Sequence, residues 1–287
     1  MNKSLVFLTF FTFVLAGCSQ PMSKSTDANP AAIVESKIST TTTKIPSQTA
    51  VITPVEKLTS TSTVNAFKET AIYSPLIGIP LAQLTDMIFN PFHLPAPGSD
   101  DPHQGIDFSD IDPETKIAKT GLGVQAIIEG RVIAAISDRF PYGNAVMTET
   151  DWQDLPPGWQ ALIDLQAVPA PWKKISALSC PTGWDQYSPD LGKSSLYILY
   201  AHLLDQPELE IGERIIAGDP IGNIGMSGNA LAPHVHVEIR YGPSNLFPDG
   251  IAHYDVSASA AEMSNYCRWR ISGWFRPIDP MLLLLNQ

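Results

Sequence analysis

Four of the chain's 6 histidines fall in three short segments, and a carboxylate accompanies the first of them. His103 and Asp107 are four residues apart in His103-Gln104-Gly105-Ile106-Asp107. His202 stands in Tyr200-Ala201-His202-Leu203, and His234 and His236 flank a single valine. Imidazole nitrogens and carboxylate oxygens are ligands that zinc takes in catalytic sites. The pattern therefore points to a mononuclear zinc site with imidazoles to spare for proton transfer. Each motif by itself is weak, because His-x-His also occurs on solvent-facing strands.

Those side chains need elements that aim them. Read as a strand, His234–Arg240 puts His234, His236, Glu238 and Arg240 on one face and Val235, Val237 and Ile239 on the other. Such a strand belongs in a sheet that buries one side and floors a cleft with the other. Gly105 and nearby Pro102 argue against a helix through His103 and Asp107, so a bend entering a strand at 106–108 is expected. Further β-rich runs lie at Val124–Ile128, Arg131–Ile136, Asn144–Thr148 and Ser195–Tyr200, with Gly130 as a tight connection between the first two. The expectation is an all-β core with minor α content, mostly antiparallel and sandwich-like, with a short helix at Leu81–Ile88. Two long irregular insertions interrupt it, at about 149–194 and 241–274. The first holds Trp152, Trp159, Trp172 and Trp184, either as a packed excursion with its own aromatic cluster or as the wall of a substrate groove.

A formal charge of -11 with no basic run excludes nucleic acid as a partner, since phosphate backbones demand clustered Lys and Arg. The first 18 residues suggest a compartment. Lys3 and the apolar run from Leu5 to Ala16 are too short to span a bilayer of ~30 Å, and Leu15-Ala16-Gly17-Cys18 resembles the lipobox of bacterial lipoproteins. That resemblance implies a signal peptide at 1–17 and a lipid on Cys18, hence an extracytoplasmic chain anchored to a bacterial membrane. A plain cleaved signal with a coincidental cysteine is the alternative. Residues 18–66, rich in Ser, Thr, Ala and Pro, bury too little apolar surface to offset their ordering entropy and are expected to form a disordered tether. Cys180 and Cys267 then remain as an even pair, a disulfide in an oxidising compartment or two buried thiols.

The ordered motifs His103-x-x-x-Asp107, Tyr200-x-His202-Leu203 and Pro233-His234-x-His236 resemble those of the lysostaphin-type zinc peptidases, whose domain is called LytM-like. Flanking text agrees: Glu129-Gly130-x-Val132, Tyr142-Gly143-Asn144, Ala217-Gly218-Asp219-x-Ile221-Gly222, Gly225-Met226-Ser227-Gly228-Asn229 and a closing Pro277-Ile278-Asp279-Pro280. The resemblance implies a LytM-type core within 67–287, with His103, Asp107 and His236 holding one zinc ion. His202 and His234 would be the catalytic imidazoles, and peptidoglycan or another peptide the substrate, cut by metal-activated water. His93 and His253 lie outside the motifs and are read as loop residues.

The two insertions are longer than the family's usual connections, which bears on the substrate more than on the chemistry. The alternative function is a non-catalytic lysostaphin-like module that binds cell wall or activates other wall hydrolases. A metal-binding protein without catalysis is a third reading. The full complement of ligands and auxiliary histidines favours the enzyme.

Overall fold

Ser194–Ala201 reads Ser-Ser-Leu-Tyr-Ile-Leu-Tyr-Ala, an almost unbroken apolar run that suits a strand covered on both sides. It lies at the centre of the large sheet in this computed structural model, which describes residues 70–165, 178–186, 189–190, 192–245 and 250–286. The expected signal peptide, Cys18, the tether and Trp172 lie outside the described residues.

The sheet's strands in chain order are β1 (Ile88–Asn90), β2 (Ile106–Phe108), β3 (Gly130–Arg139), β4 (Gly143–Asp151), β5 (Ser194–Ala201), β6 (Arg214–Ile215), β7 (Val235–Pro243) and β8 (Arg276–Ile278). Spatially they run β1-β2-β7-β5-β4-β3-β6, with β8 beside β7, and the pairs are antiparallel. β2 and β8 share one edge of β7, pairing with residues 235–237 and 239–241, while β5 occupies the other edge. A separate ribbon pairs Gly123–Gln125 with Pro220–Asn223, and a second pairs Asp110–Ile111 with Ala118–Lys119. The strand expected at Val124–Ile128 is thus shorter, and its partner is a segment about a hundred residues away in sequence rather than its neighbour. The expected mostly antiparallel β core is present. The short helix near Leu81 is a 3₁₀ segment, Leu81–Met87.

Alternation along β5 divides two cores. Leu196, Ile198 and Tyr200 join Val235, Val237 and Ile239 in one, which packs against the 70–88 segment and the 123–125 ribbon. Tyr197, Leu199 and Ala201 join Tyr266, Trp269 and Phe275 in the other. Both faces of the sheet are therefore buried, which corrects the expectation of one open face.

The cover on the second face comes from the 241–274 excursion. Within it, α2 (Ala260–Ile271) follows α1 (Pro157–Leu165) of the earlier excursion and precedes α3 (Pro280–Leu284). The start of α2 is encoded locally. Ser259 Oγ accepts from the Glu262 amide at 3.2 Å while Glu262 Oε2 accepts from the Ser259 amide at 2.8 Å, a capping box. Arg268 and Arg270 in its last turn complement the negative end of the helix dipole. Trp269 is fully buried beneath it, and truncating such a ring costs about 3–5 kcal/mol.

Among the described residues, the tryptophans of the first excursion do not form a cluster of their own. Trp159 sits in the first core and donates from Nε1 to the Leu283 carbonyl at 2.9 Å, joining α1 to α3, and Trp152 stacks edge-on against Tyr241. Trp184 packs against the second core. Cys180 and Cys267 are disulfide-bonded, with Cα atoms 6.1 Å apart, so the bridge ties residues of the first excursion to α2 of the second. Among the described residues no helix is long and apolar enough to cross a membrane.

Candidate metal centre

Three neighbouring strands carry the three motifs. In the register of β2 with β7, Asp107 is the direct partner of His236; in that of β5 with β7, Ala201 is. His202 follows immediately at the end of β5, in a left-handed conformation (φ 61°) uncommon for a residue with a side chain. Its amide donates to the Tyr142 carbonyl at 2.9 Å and its Nδ1 lies 2.8 Å from the Ser227 carbonyl, so the ring is fixed from both sides. Loop 227–228 can approach because glycines meet there. A Cβ on Gly143 or Gly228 would fall 2.4 Å from atoms of the opposing backbone.

His103 enters from the turn before β2, and Gly105 makes room for the approach. A Cβ at Gly105 would lie 2.4 Å from His236 Cε1. The result is a triangle of ligand atoms. His103 Nε2 is 3.0 Å from both Asp107 Oδ1 and His236 Nδ1, and the latter two are 2.8 Å apart. Nitrogen and oxygen ligands at ~2.0–2.1 Å around tetrahedral zinc stand ~3.3 Å from one another, so the spacing and the His-Asp-His donor set both fit a zinc ion. Three ligands leave the open position that catalytic zinc sites keep. The structure brings His103, Asp107 and His236 together.

The remaining ring nitrogens are oriented. His103 Nδ1 lies 3.0 Å from the Pro91 carbonyl, leaving Nε2 as the free lone pair. His236 Nε2 lies 3.4 Å from Glu238 Oε2. Outer contacts of this kind fix the tautomer and raise the basicity of a metal-binding imidazole. Asn90 donates to Asp107 Oδ2 at 3.2 Å.

Electrostatics favour a cation at this point. Burial alone would raise the pKa of Asp107, yet the imidazoles of His103 and His236 against it hold it well below the usual carboxylate range. Glu238 is completely buried, which also works to raise it, but the guanidinium groups of Arg240 and Arg270, with His236, keep it ionised. His236 is depressed by burial, but the hydrogen bonds and charges of these two carboxylates overcome that and raise it to about 9. His202 goes the other way. Burial, then the neighbouring imidazoles of His236 and His234, lower it to about 3.

His202 and His234 sit beside the triangle, their ring centroids 4.7 Å apart. His234 Nδ1 is 2.7 Å from the Ala232 carbonyl, and its Nε2 is 3.6 Å from Asp107 Oδ1. With each Nδ1 committed to a carbonyl, each Nε2 is left to exchange protons in the cleft. The cleft holds about 480 Å³, and its lining includes all four imidazoles, Phe89, Leu231, Tyr254 and Arg270. His93 is an exposed loop residue, as expected. His253 is buried against Tyr266 with Nε2 2.8 Å from the Ser179 carbonyl, and it takes no part in the triangle.

The polar face of β7 differs from the expected cleft floor. His234 and His236 do border the cleft, whereas Glu238 and Arg240 are sealed beneath α2. Arg240 donates from Nε to Glu238 Oε1 at 2.6 Å, from Nη1 to the Phe275 carbonyl at 3.1 Å and from Nη2 to Gln104 Oε1, and it stacks on the Trp269 ring. Tyr142 donates to Glu238 Oε2 at 3.0 Å; burial, then the charge of Glu238, keep its phenol protonated far above its ordinary range. The sequence places Glu238 and Arg240 only on the cleft-floor face and gives the Tyr142 side chain no role. The signals available were the polar alternation on β7 and the Ser259-x-x-Glu262 box that starts α2.

Residues 191–248, which carry His202, His234 and His236, match the model of Peptidase family M23. Among solved structures the chain is similar to a mutant catalytic domain of EnpA, the prophage-encoded M23 protein of Enterococcus faecalis, at 19% identity over 55% of this chain and 83% of that one, with a TM-score of 0.32. It is also similar to the catalytic domain of lysostaphin from Staphylococcus simulans, at 18% identity over 71% and 97% of the two chains, with a TM-score of 0.33. A zinc-containing peptidase from Vibrio cholerae is 17% identical over 68% of this chain and 35% of its own length, with a TM-score of 0.31. The family match falls on β5, β7 and the glycine-rich turns between them.

Proposed function

We propose that this chain is a zinc-dependent endopeptidase that hydrolyses peptide bonds in peptidoglycan cross-links, anchored outside the cytoplasm to a bacterial membrane by a lipid on Cys18. The observation that carries the reading is the triangle of His103 Nε2, Asp107 Oδ1 and His236 Nδ1, with edges of 2.8 to 3.0 Å, beside two further oriented imidazoles. His103, Asp107 and His236 would hold the zinc ion, which would supply an acidified water and polarisation of the scissile carbonyl.

The protein's own groups supply the rest. His202 and His234 each present Nε2 to the cleft while a backbone carbonyl fixes Nδ1. Burial among other imidazoles keeps His202 neutral near pH 7, so its Nε2 can accept a proton. Between them the two rings take the proton of the attacking water and steady the negative oxygen that develops on the carbonyl. Phe89, Leu231 and Tyr254 border the cleft with apolar surface that can flank a peptide backbone.

The test is release of new amino termini from purified peptidoglycan by the native chain and by His202→Ala, with zinc content measured in both. General acid–base groups contribute about 10²–10⁴-fold, so the variant should lose activity on that scale while keeping its zinc. No release by the native, zinc-loaded chain would sink the hydrolase and leave a binding module.

A further inference from the structure

We infer that Arg270, on the helix that the 241–274 excursion lays over the sheet, is a positioning residue that holds the two ligand-bearing segments together; the inference rests on the zinc reading above. Arg270 Nε donates to Asp100 Oδ1 at 2.6 Å, and Nη2 donates to the Asp100 carbonyl at 2.6 Å. The third nitrogen, Nη1, lies 3.5 Å from both carboxylate oxygens of Glu238. Asp100 precedes His103 by three residues, and Glu238 follows His236 by two. One guanidinium thus joins the turn that delivers His103 to the carboxylate behind His236.

The geometry is specific to arginine. A rigid fork can grip a carboxylate and a backbone carbonyl with two nitrogens and turn the third to a second carboxylate, whereas a lysine ammonium is a point charge without that fork. Arg270 is nearly enclosed, with its side chain 10% exposed. Gln104 strengthens the same tie from the ligand turn, donating from Nε2 to the carbonyls of Ser99 and Asp100 while accepting from Arg240. No hydrogen bond or ion pair joins Arg270 to the His103–Asp107–His236 triangle among the described residues, so its influence runs through Glu238 and Asp100.

The experiment compares the full chain with Arg270→Lys and Asp100→Asn, reading the zinc dissociation constant by chelator competition and the thermal midpoint separately. Arg270→Lys keeps the buried positive charge but breaks the fork, and Asp100→Asn loosens the arm to the His103 turn together with the Tyr254 and Tyr266 hydroxyl contacts to the same carboxylate. Loss of a direct outer partner of a metal ligand typically costs 10–100-fold in metal affinity; Arg270 and Asp100 act one link further out, so both variants should weaken zinc by about the lower end of that range while retaining native near-ultraviolet circular dichroism. If Arg270→Lys fails to fold, Asp100→Asn decides alone. A lowered midpoint with zinc affinity unchanged would reduce Arg270 to a structural ion pair and overturn the proposal. Absence of zinc binding in the native chain would instead overturn the metal reading, and this inference with it.

Discussion

Asp107 and His236 are direct partners across β2 and β7, with Oδ1 and Nδ1 2.8 Å apart, so the sheet register itself assembles two of the three candidate ligands. A one-residue slip of β2 would turn Asp107 to the opposite face. The glycine that allows the ring to sit there, Gly105, is on the same turn as His103.

Asp107→Ala removes the carboxylate from the triangle and leaves two imidazoles. Metal analysis after dialysis should find the native chain with one zinc and the variant with far less than one. A full, tightly held complement in Asp107→Ala would refute the ligand assignment.

Gly105→Ala places a Cβ 2.4 Å from His236 Cε1, and the Val237 carbonyl stands behind it at 2.8 Å. Overpacking of this kind costs about 1–3 kcal/mol. Urea denaturation should show that loss together with weakened zinc binding. Unchanged stability would mean that the turn moves aside without strain.

The Cys180–Cys267 bridge closes a span of 87 residues. Constraining the unfolded chain over such a loop is typically worth about 2–4 kcal/mol. Cys180→Ser should lower the unfolding free energy by that amount under non-reducing conditions, and Cys180 is the safer site because Cys267 is fully buried. An unchanged denaturation midpoint would show that the bridge contributes nothing to stability.

Cys18→Ala tests the proposed anchor. Fractionation of cells expressing the full chain should move the protein from the membrane pellet to the soluble extracytoplasmic fraction. Membrane partitioning equal to that of the native chain would dispose of the lipid on Cys18.

Much of the site was legible in the residues. His103, Asp107, His202, His234 and His236 carry their chemistry in type and spacing, and the strands around 131–136, 144–148, 195–200 and 234–240 follow from β-branched and aromatic runs between turn residues. Gly105 and Pro102 correctly excluded a helix through the first motif. The outer support was much less legible. Glu238 and Arg240 share a face with two histidines, which reads as a cleft floor, yet both are enclosed because an insertion places α2 across them. That helix has buried polar as well as apolar positions, Asn265 among them, so periodicity does not announce it, and only its capping box does.

The sequence by itself determined which groups could bind a metal and that the core is built from mostly antiparallel strands. Those properties follow from side-chain chemistry and from patterns spanning a few residues. Tertiary structure alone decided that Asp107 meets His236 across 129 positions, that Cys180 meets Cys267, and that Arg270 reaches Asp100 across 170. Such pairings depend on strand register and on which face of the sheet an insertion covers. Both are settled by burial summed over the whole core, a quantity that no local stretch of sequence contains.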